Sequence, residues 1–393
     1  MMRFSLTLVL VAGFCAGPAY ADFHTCVAGL AAEAEAHGVS AQVAQAATRD
    51  LTFNPDVLTA EKSQPEFNTP VWDYIAALVD EERVTDGRAA MAKYSRWFGV
   101  VERRFGVSPY VVGAIWGVES NFGQNFGNKP VLQSLASLAC SNSMRPGYYH
   151  REFKAAMEIV NEGGANPANF NGSWAGAFGN TQFMPSTFLR LAVDLDGDGR
   201  RDVINSVPDA LGSTANYLHH SGWVPGLPWG FEVKSSSGFA ARSNWHAKQP
   251  LSAWAAHGIT HVNGAPLTGE GAYGLFLPAG PRGPAFLVSR NFSAIYSYNA
   301  AESYALAIAL LSDRLRGLGP IVTPWPTNDP GLSRAGRREV QRLLTQHGYD
   351  IGGKIDGVLG HKTQDAIADF ERRNGMKTDG RASQSVLTAL RSH

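Results

Sequence analysis

The chain has 393 residues, and its 34 lysines and arginines are balanced by 34 aspartates and glutamates. A formal net charge of zero gives no electrostatic reason to expect nucleic acid or an anionic membrane surface as a partner. The length predicts two or three domains, and the hydrophobic fraction of 44% is sufficient for one large core.

Residues 1–21 have the features of a secretory signal peptide. Arg3 supplies a positive charge, residues 6–15 are apolar, and Ala19-Tyr20-Ala21 forms a small-x-small cleavage site. The apolar stretch is too short to span a bilayer, and no later segment resembles a transmembrane helix. The mature chain is therefore predicted to begin at Asp22 in an exported protein.

Two cysteines, Cys26 and Cys140, remain after the predicted signal peptide. In an oxidising compartment they are able to form a disulfide that ties the N-terminal helix to the main body. Two separately buried thiols are the alternative, because the sequence does not show how far apart the two residues lie. We favour the disulfide slightly.

The segment from 24 to about 220 is predicted to be mostly helical. Ser40 and the Ser108-Pro109 pair are typical helix starts, since serine caps the first turn and proline suits the first helical position. Ser206 and Asp209 have the spacing of a capping box. Residues 272–278 and 284–289 then predict strands of a small sheet, and residues 302–317 predict a helix that completes this domain.

Residues 319–331 contain four prolines and are predicted to form a stiff, extended linker. The tail, residues 332–393, is predicted to contain three amphipathic helices. Their apolar positions are Val340, Leu343 and Leu344, then Ala366, Ile367 and Phe370, then Val386, Leu387 and Leu390.

A glutamate, Glu119, ends the apolar run AIWGVESNFG. Helical spacing places it on the same stripe as Ile115 and Trp116, in the last turn of its helix. Burial and the helix dipole both favour the neutral acid, so its pKa is predicted to be raised, as a general acid requires. A glutamate that turns to solvent or binds a backbone amide fits the spacing equally well.

The segment NGSWAGAFGNTQFMPSTF, residues 171–188, is rich in glycine and contains no acid or base. Glycine lets a polymer approach the backbone closely. Ser173, Asn180, Thr181 and Gln182 offer neutral hydrogen bonds that suit the hydroxyl and acetamido groups of sugars. Composition alone favours the simpler interpretation of a loop before a helix.

The segment DLDGDGRRD has the spacing of a calcium loop. Asp202 stands at position 9, but position 12 is Asn205 and not the usual glutamate, so Asp209 is the candidate that closes the site. An aspartate- and glycine-rich turn without metal is the alternative. The candidate calcium ligands are Asp194, Asp196, Asp198 and Asp209.

Tyrosines form the remaining candidate group. Tyr217 lies in TANYLHH, and Tyr298, Asn299 and Tyr304 lie in YSYNAAESYALA. Tyrosines next to an acid are able to bind a sugar ring, although at helical spacing they are more often core residues.

Together, four motifs resemble the membrane-bound lytic murein transglycosylase B family. They are AIWGVESNFG, GAFGNTQFMPSTF, DLDGDGRRDVINSVPDALGSTANYL and YNAAESYALA, in this order. The resemblance covers about residues 24–318. The tail, with GYDIGGKIDGVLGHKTQDA, looks like the small peptidoglycan-binding domain that is often joined to cell-wall enzymes.

The resemblance implies an α+β fold: a mostly helical, lysozyme-like catalytic domain with a small β-sheet insertion over residues 22–318, followed by the three-helix domain. It implies that Glu119 is the catalytic acid/base and that a structural Ca²⁺ binds the aspartate loop, with no cofactor required for the chemistry. The residues that it implies for substrate binding are Ser173, Gln182, Tyr217, Tyr298, Asn299 and Tyr304.

The implied reaction is non-hydrolytic cleavage of the bond between N-acetylmuramic acid and N-acetylglucosamine, with a 1,6-anhydro product. Peptidoglycan strands are the expected partner, and a monomer is expected. The missing lipid-attachment cysteine of the family predicts a soluble periplasmic form. A hydrolytic muramidase of the goose-lysozyme type and a non-catalytic wall-binding scaffold are the two alternatives.

Overall fold

The computed structural model describes residues 18–63, 68–236, 238 and 243–392. Most of the predicted signal peptide, residues 1–17, lies outside the described residues. None of the helices in these ranges is both long enough and apolar enough to cross a membrane. The described residues form helices and short antiparallel strands, so the predicted α+β class is confirmed.

The helices in chain order are α1 (Pro18–Ala36), α2 (Ala41–Thr48), α3 (Asp56–Glu61), α4 (Val71–Leu78), α5 (Glu81–Lys93), α6 (Ser95–Phe105), α7 (Pro109–Ser120), α8 (Val131–Ala139), α9 (Pro146–Asn161), α10 (Pro185–Leu191), α11 (Val207–His220), α12 (Leu251–Ala256), α13 (Arg290–Asn299), α14 (Glu302–Leu315), α15 (Arg334–Gln346), α16 (His361–Arg373) and α17 (Gln384–Ser392). The strands are β1 (Lys129–Pro130), β2 (Asn171–Gly172), β3 (Gly230–Ser235), β4 (Asn244–Pro250), β5 (Ile259–His261), β6 (Ala272–Phe276) and β7 (Ala285–Val288).

The chain divides into two compact units. Unit 1 combines the described part of Met1–Glu61 with Lys129–Gly176, and unit 2 combines Lys62–Asn128 with Ala177–His393. The predicted tail lies within unit 2.

Unit 1 is helical apart from the short antiparallel pair β1–β2. Helix α2 begins as predicted, because the Ser40 hydroxyl accepts a hydrogen bond from the Val43 N–H. A disulfide joins Cys26 in α1 to Cys140 at the end of α8 and closes a sequence separation of 114 residues. The three helices α1, α8 and α9 pack together through apolar side chains such as Phe153.

Helix α14 is the centre of unit 2. Residues 304–312 are all buried, as expected of a helix that is apolar on every side. It packs against α7, α4 and α13. A five-stranded antiparallel sheet with the order β4-β6-β7-β3-β5 packs through Phe276 and Phe286 against the same core. The two strands predicted over 272–278 and 284–289 are β6 and β7, and both are confirmed.

The three predicted tail helices, α15–α17, enclose a core that includes Val340, Ile367 and Leu387, as their spacing indicated. The proline-rich segment before them contains no helix or strand, but it does not extend freely from the protein. Ile321 and Trp325 pack against the core of unit 2. The N–H groups of Val322 and Thr323 donate to the Glu232 carboxylate at 2.8 and 2.7 Å.

Candidate active site

Glu119 lies in the last turn of α7, at a point where the backbone turns sharply. The helix begins at Pro109, and Ser108 stands at its cap position without a side-chain hydrogen bond to the helix. The helix is followed by three consecutive residues with positive φ: Asn121 at 50°, Phe122 at 57° and Gly123 at 83°. Only the last of these is glycine, so the turn is strained by about 1–3 kcal/mol per non-glycine residue.

Buried polar contacts stabilise this turn. The Ser120 hydroxyl donates to the Asn180 carbonyl oxygen at 2.6 Å and accepts from the Gly123 N–H at 2.9 Å. The indole N–H of Trp116 donates to the Asn180 side-chain oxygen at 3.1 Å. The segment around Asn180, which the sequence identified as glycine-rich and polar, therefore braces the end of α7.

The Glu119 carboxylate is half-buried and faces two tyrosines. The Tyr304 hydroxyl donates to Glu119 Oε1 at 2.5 Å. The Tyr298 ring lies parallel to the Tyr304 ring, with 6.4 Å between centroids and 10° between planes. Burial first, and then the charge of Glu119, raises the pKa of both tyrosines well above the ordinary value. Both hydroxyls therefore keep their protons and act as donors at neutral pH.

Two further predicted residues extend this cluster. The Tyr217 ring packs edge-on against Tyr298 with centroids 4.8 Å apart, and its hydroxyl donates to the Ser297 carbonyl. The Tyr298 hydroxyl donates to the Thr181 carbonyl at 2.8 Å. The Gln182 side-chain amide donates to a backbone carbonyl of the neighbouring loop, and its backbone has a φ of 52°.

Four polar residues named from the sequence differ from one another in burial and in location. Asn180 and Thr181 are buried, with 2% and 0% of their surface exposed, so they are structural and do not offer hydrogen bonds to a ligand. Asn299 is exposed at the end of α13. Ser173 belongs to unit 1, where its hydroxyl accepts from the Ala175 N–H at 3.3 Å. For Ser173 and Asn299, contact with a sugar stays a prediction.

The aspartate loop between α10 and α11 brings its predicted ligands together. Their carboxylates each offer an oxygen, and these oxygens all lie within 4.8 Å of one another; the residues are Asp194, Asp196, Asp198 and Asp209. Asn205, at loop position 12, bonds to Asp202 through its side-chain amide and does not close the loop. Asp209 is the residue that faces the other three.

Asp209 is fully buried and accepts backbone hydrogen bonds from the loop. Its two oxygens accept from the N–H groups of Leu195 at 2.8 Å and Asp202 at 2.9 Å. Burial outweighs these bonds and raises the pKa of Asp209. The predicted capping box is only half formed: the Ser206 hydroxyl accepts from the Asp209 N–H, but the Ser206 N–H donates to the Asp202 carbonyl. The carboxylate faces the loop because it cannot satisfy both partners.

Arginines close to Glu119 were not identified from the sequence. Arg83 in α5 is buried and donates to the carbonyl oxygen of Gly117, which lies two residues before Glu119 in α7. Arg334, the first residue of α15, donates to the Asn121 side-chain oxygen at 2.6 Å. No helical stripe or motif marks either residue, because their targets are distant in sequence.

Two protein-family models match this chain. The Transglycosylase SLT domain family matches residues 22–313, and a peptidoglycan binding domain matches residues 333–390. Membrane-bound lytic murein transglycosylase B of Escherichia coli (strain K12) is 30% identical over 249 residues, which cover 60% of this chain and 64% of that protein. The match thus spans less than two thirds of that relative's length.

Two solved structures are similar along most of the chain. SltB3 of Pseudomonas aeruginosa, in complex with NAG-anhNAM-pentapeptide, is 43% identical, with a TM-score of 0.75 and coverage of 94% of this chain and 99% of that chain. The Escherichia coli lytic transglycosylase Slt35, in complex with calcium, is 26% identical, with a TM-score of 0.65 and coverage of 76% and 93%. The resemblance inferred from the motifs is confirmed, as is the lysozyme-like fold: the chain belongs to the transglycosylase SLT domain family.

Proposed function

We propose that this protein is a lytic transglycosylase that cleaves peptidoglycan strands without consuming water. The observation that supports this proposal is the Glu119 carboxylate at the end of α7, which accepts a hydrogen bond from the buried Tyr304 hydroxyl. The relatives described above share the family and the fold, and one of them was crystallised with an anhydro-muramoyl fragment.

In the proposed reaction, Glu119 first acts as a general acid. It transfers its proton to the oxygen that links C1 of N-acetylmuramic acid to N-acetylglucosamine, and the C1–O bond breaks. The C6 hydroxyl of the same muramic acid then attacks C1 and returns its proton to Glu119. The products are a 1,6-anhydro-muramoyl end and a free N-acetylglucosamine end, so atoms and protons balance without a water molecule.

The surrounding tyrosines have two roles in this scheme. The Tyr304 hydroxyl fixes one carboxylate oxygen by its hydrogen bond, which sets the orientation of the acid. The Tyr298 and Tyr217 rings provide apolar and amphipathic surface next to it, which binds a sugar face and excludes water from the attacking side. Exclusion of water separates this reaction from hydrolysis by a goose-type muramidase.

Isotope labelling tests this proposal. Purified protein digests sacculi in water enriched in oxygen-18, and the products are analysed by mass spectrometry. We expect anhydro ends that lack the label and are lighter than hydrolytic ends by one water. Labelled reducing muramic ends as the main product would assign the protein to the hydrolases instead. Binding to sacculi without any cleavage would leave only the scaffold hypothesis.

We also propose that the aspartate loop binds a structural Ca²⁺ through Asp194, Asp196, Asp198 and Asp209. The donor set fits this ion, because calcium prefers carboxylate oxygens and the buried Asp209 carboxylate accepts from backbone N–H groups rather than from a cationic side chain among the described residues. When bound, the ion would supply stability to the loop and no chemistry to the reaction. Thermal melts of the wild type and Asp209→Asn, with chelator and with added Ca²⁺, test this proposal.

Export and wall binding complete the proposal. The predicted signal peptide and the peptidoglycan binding domain over residues 333–390 support a periplasmic protein whose tail binds the wall. N-terminal sequencing of the exported protein is expected to begin at Asp22. Sedimentation with sacculi is expected for the full chain with an inactive site, whereas recovery in the supernatant would contradict wall binding.

A further inference from the structure

The first turn of the tail helix α15 makes polar contacts with α4 and α5. The Arg334 N–H donates to the Asp80 carboxylate at 2.9 Å, and the other oxygen of that carboxylate caps α5 by accepting from the Arg83 N–H at 2.8 Å. Below this point, Arg381 forms a two-pronged ion pair with the buried Asp73 at 2.8 and 3.0 Å. The contacts place the tail in a defined position on the helices that surround α7.

The Arg334 guanidinium bridges the turn after α7 and two acids of α5. One terminal nitrogen donates to the Asn121 side-chain oxygen at 2.6 Å, and the other donates to Asp86 at 2.9 Å and lies 3.2 Å from a Glu82 carboxylate oxygen. Only 12% of the Arg334 side chain is exposed. A planar guanidinium is able to make both bonds at fixed angles, whereas a lysine ammonium is a point donor on a flexible stem.

Asn121 is the first residue of the strained turn that follows Glu119. Its side-chain amide donates to Gln124 at 2.9 Å, so the Arg334 contact uses the remaining oxygen of the same group. Residues in the left-handed region persist only where surrounding contacts determine them. On the other side of Glu119, Arg83 donates to the Gly117 carbonyl. Two guanidiniums therefore contact the chain two residues before and two residues after Glu119.

The two arginines are coupled to each other. Burial first, and then the nearby charge of Arg334, lowers the pKa of Arg83 to about 10. Asp80 accepts a hydrogen bond from the backbone of each, so a shift of α15 would change the position of α5 as well.

We propose that Arg334, a residue of the C-terminal domain, is a positioning residue for Glu119, so that docking of the wall-binding domain completes the catalytic site. This inference relies on the proposed function, because it takes Glu119 to be the acid. It differs from the view of the tail as a tether, in which the tail affects only the local concentration of enzyme on the wall.

The test uses the full chain with Arg334→Ala and Arg334→Lys, assayed on soluble glycan fragments. The matched control is Arg338→Ala, which removes an arginine of the same helix whose side chain pairs with Glu82 at 2.6 Å. We expect kcat to fall about ten- to a hundredfold for Arg334→Ala, since small misplacement of a catalytic group has effects of this order. KM is expected to change by less than kcat, and Arg338→Ala is expected to leave kcat unchanged.

Further readouts separate positioning from stability. Arg334→Lys keeps the positive charge but cannot bond Asn121 and Asp86 at the fixed angles of a guanidinium. Compared with Arg334→Ala, it is therefore expected to recover more of the melting temperature than of kcat. A normal kcat in either folded Arg334 variant would overturn the inference, and so would an equal loss of kcat in Arg338→Ala. If Arg334→Ala does not fold, the Lys variant decides alone. Failure of the proposed function itself is distinct, since the wild type would then form no anhydro product.

Discussion

Two carboxylates at helix ends show how the same chemical group is placed for different purposes. Glu119 lies at the C-terminal end of α7, is half-buried, and accepts from a tyrosine side chain. Asp209 lies in the first turn of α11, is fully buried, and accepts from three backbone N–H groups of its loop. Backbone donors are fixed by the fold, whereas a side-chain hydroxyl on another helix is able to adjust as the proton moves.

These different surroundings suit one acid to catalysis and the other to a metal. A general acid has to exist with and without its proton during each turnover, so its environment must tolerate both forms. Asp209 is surrounded by donors that favour the ionised form and by burial that opposes it, and a divalent cation would resolve this conflict. We therefore expect changes at Glu119 to affect the rate, and changes at Asp209 to affect stability.

The largest expected effect is that of Glu119→Gln. The amide keeps the shape and is still able to accept from the Tyr304 hydroxyl, but it has no proton to transfer. We expect the rate of sacculus digestion to fall on the order of a thousandfold or more, with sacculus binding and melting temperature retained. The same substitution at the exposed Glu102 is the control. Comparable lysis by the Glu119 variant would remove its assigned role.

The second expected effect is that of Asp209→Asn on stabilisation by calcium. An ion that binds only the folded state adds about 2.7 kcal/mol to the free energy of unfolding at a hundredfold excess over its Kd. We expect this increment in the wild type on adding Ca²⁺ after chelation, and most of it to disappear in the variant. Thermal melts with and without chelator measure it. A wild type that melts at one temperature in both conditions would contradict the metal site.

The Asp209→Asn variant also tests whether the two carboxylates act independently. At a temperature where the variant is fully folded, its kcat on soluble fragments is expected to equal that of the wild type, because the Asp209 carboxylate accepts hydrogen bonds from its own loop. A parallel loss of kcat and stability would mean that the two carboxylates are not independent.

A smaller effect is expected for Tyr304→Phe. The variant loses the hydroxyl that donates to Glu119 but keeps the buried ring. We expect about a tenfold fall in kcat, which corresponds to a loss of about 1.4 kcal/mol of transition-state stabilisation, the order of one hydrogen bond. The alkaline limb of the pH–rate profile should move to higher pH, because the ionised carboxylate has lost a donor.

Tyr273→Phe is the matched control for that experiment. Tyr273 is also buried, but it lies on β6 in the sheet core. Its loss is expected to leave the pH–rate profile in place. An unmoved profile in Tyr304→Phe would show that its hydroxyl does not influence the acid.

The smallest expected effect concerns pH in the absence of metal. Burial raises the folded-state pKa of Asp209 above its unfolded-state pKa. The free energy of unfolding of the wild type in chelator should therefore fall as pH rises from the unfolded-state to the folded-state pKa. Asp209→Asn lacks this charge, so its free energy of unfolding should increase relative to that of the wild type as pH rises between these two pKa values. Added calcium should reverse this difference. Urea unfolding at several pH values measures the difference. A pH-independent difference would show that the Asp209 charge is not costly.

Local patterns were sufficient for much of the fold. The cap at Ser40, the strands β6 and β7 and the three tail helices depend on neighbouring residues and on hydrophobic periodicity, and each is present as predicted. The aspartate loop could also be predicted from the sequence, because its candidate ligands lie within one short segment. The direction of the Asp209 side chain could not, since a capping position and a loop position compete for it.

The candidate site could be predicted only in part from the sequence. Spacing placed Glu119 at a helix end, but two orientations fitted equally well until α14 supplied the Tyr304 hydroxyl. Asn180 and Thr181 looked like sugar-binding groups by composition, and packing buried them instead. The proline-rich segment was predicted to be a stiff, extended linker, and the structure adds that Trp325 within it packs on the core of unit 2.

Short-range patterns and motifs in the sequence were enough to predict the strands β6 and β7, the three tail helices, the family and the candidate acid. Three features depend on how the chain packs: the hydroxyl that binds Glu119, the direction of the Asp209 side chain, and the contact of Arg334 with the turn beyond Glu119. Tyr304 and Glu119 are 185 positions apart, Asp209 and Leu195 are 14 apart, and Arg334 and Asn121 are 213 apart. The geometry of these contacts depends on packing that no local pattern encodes.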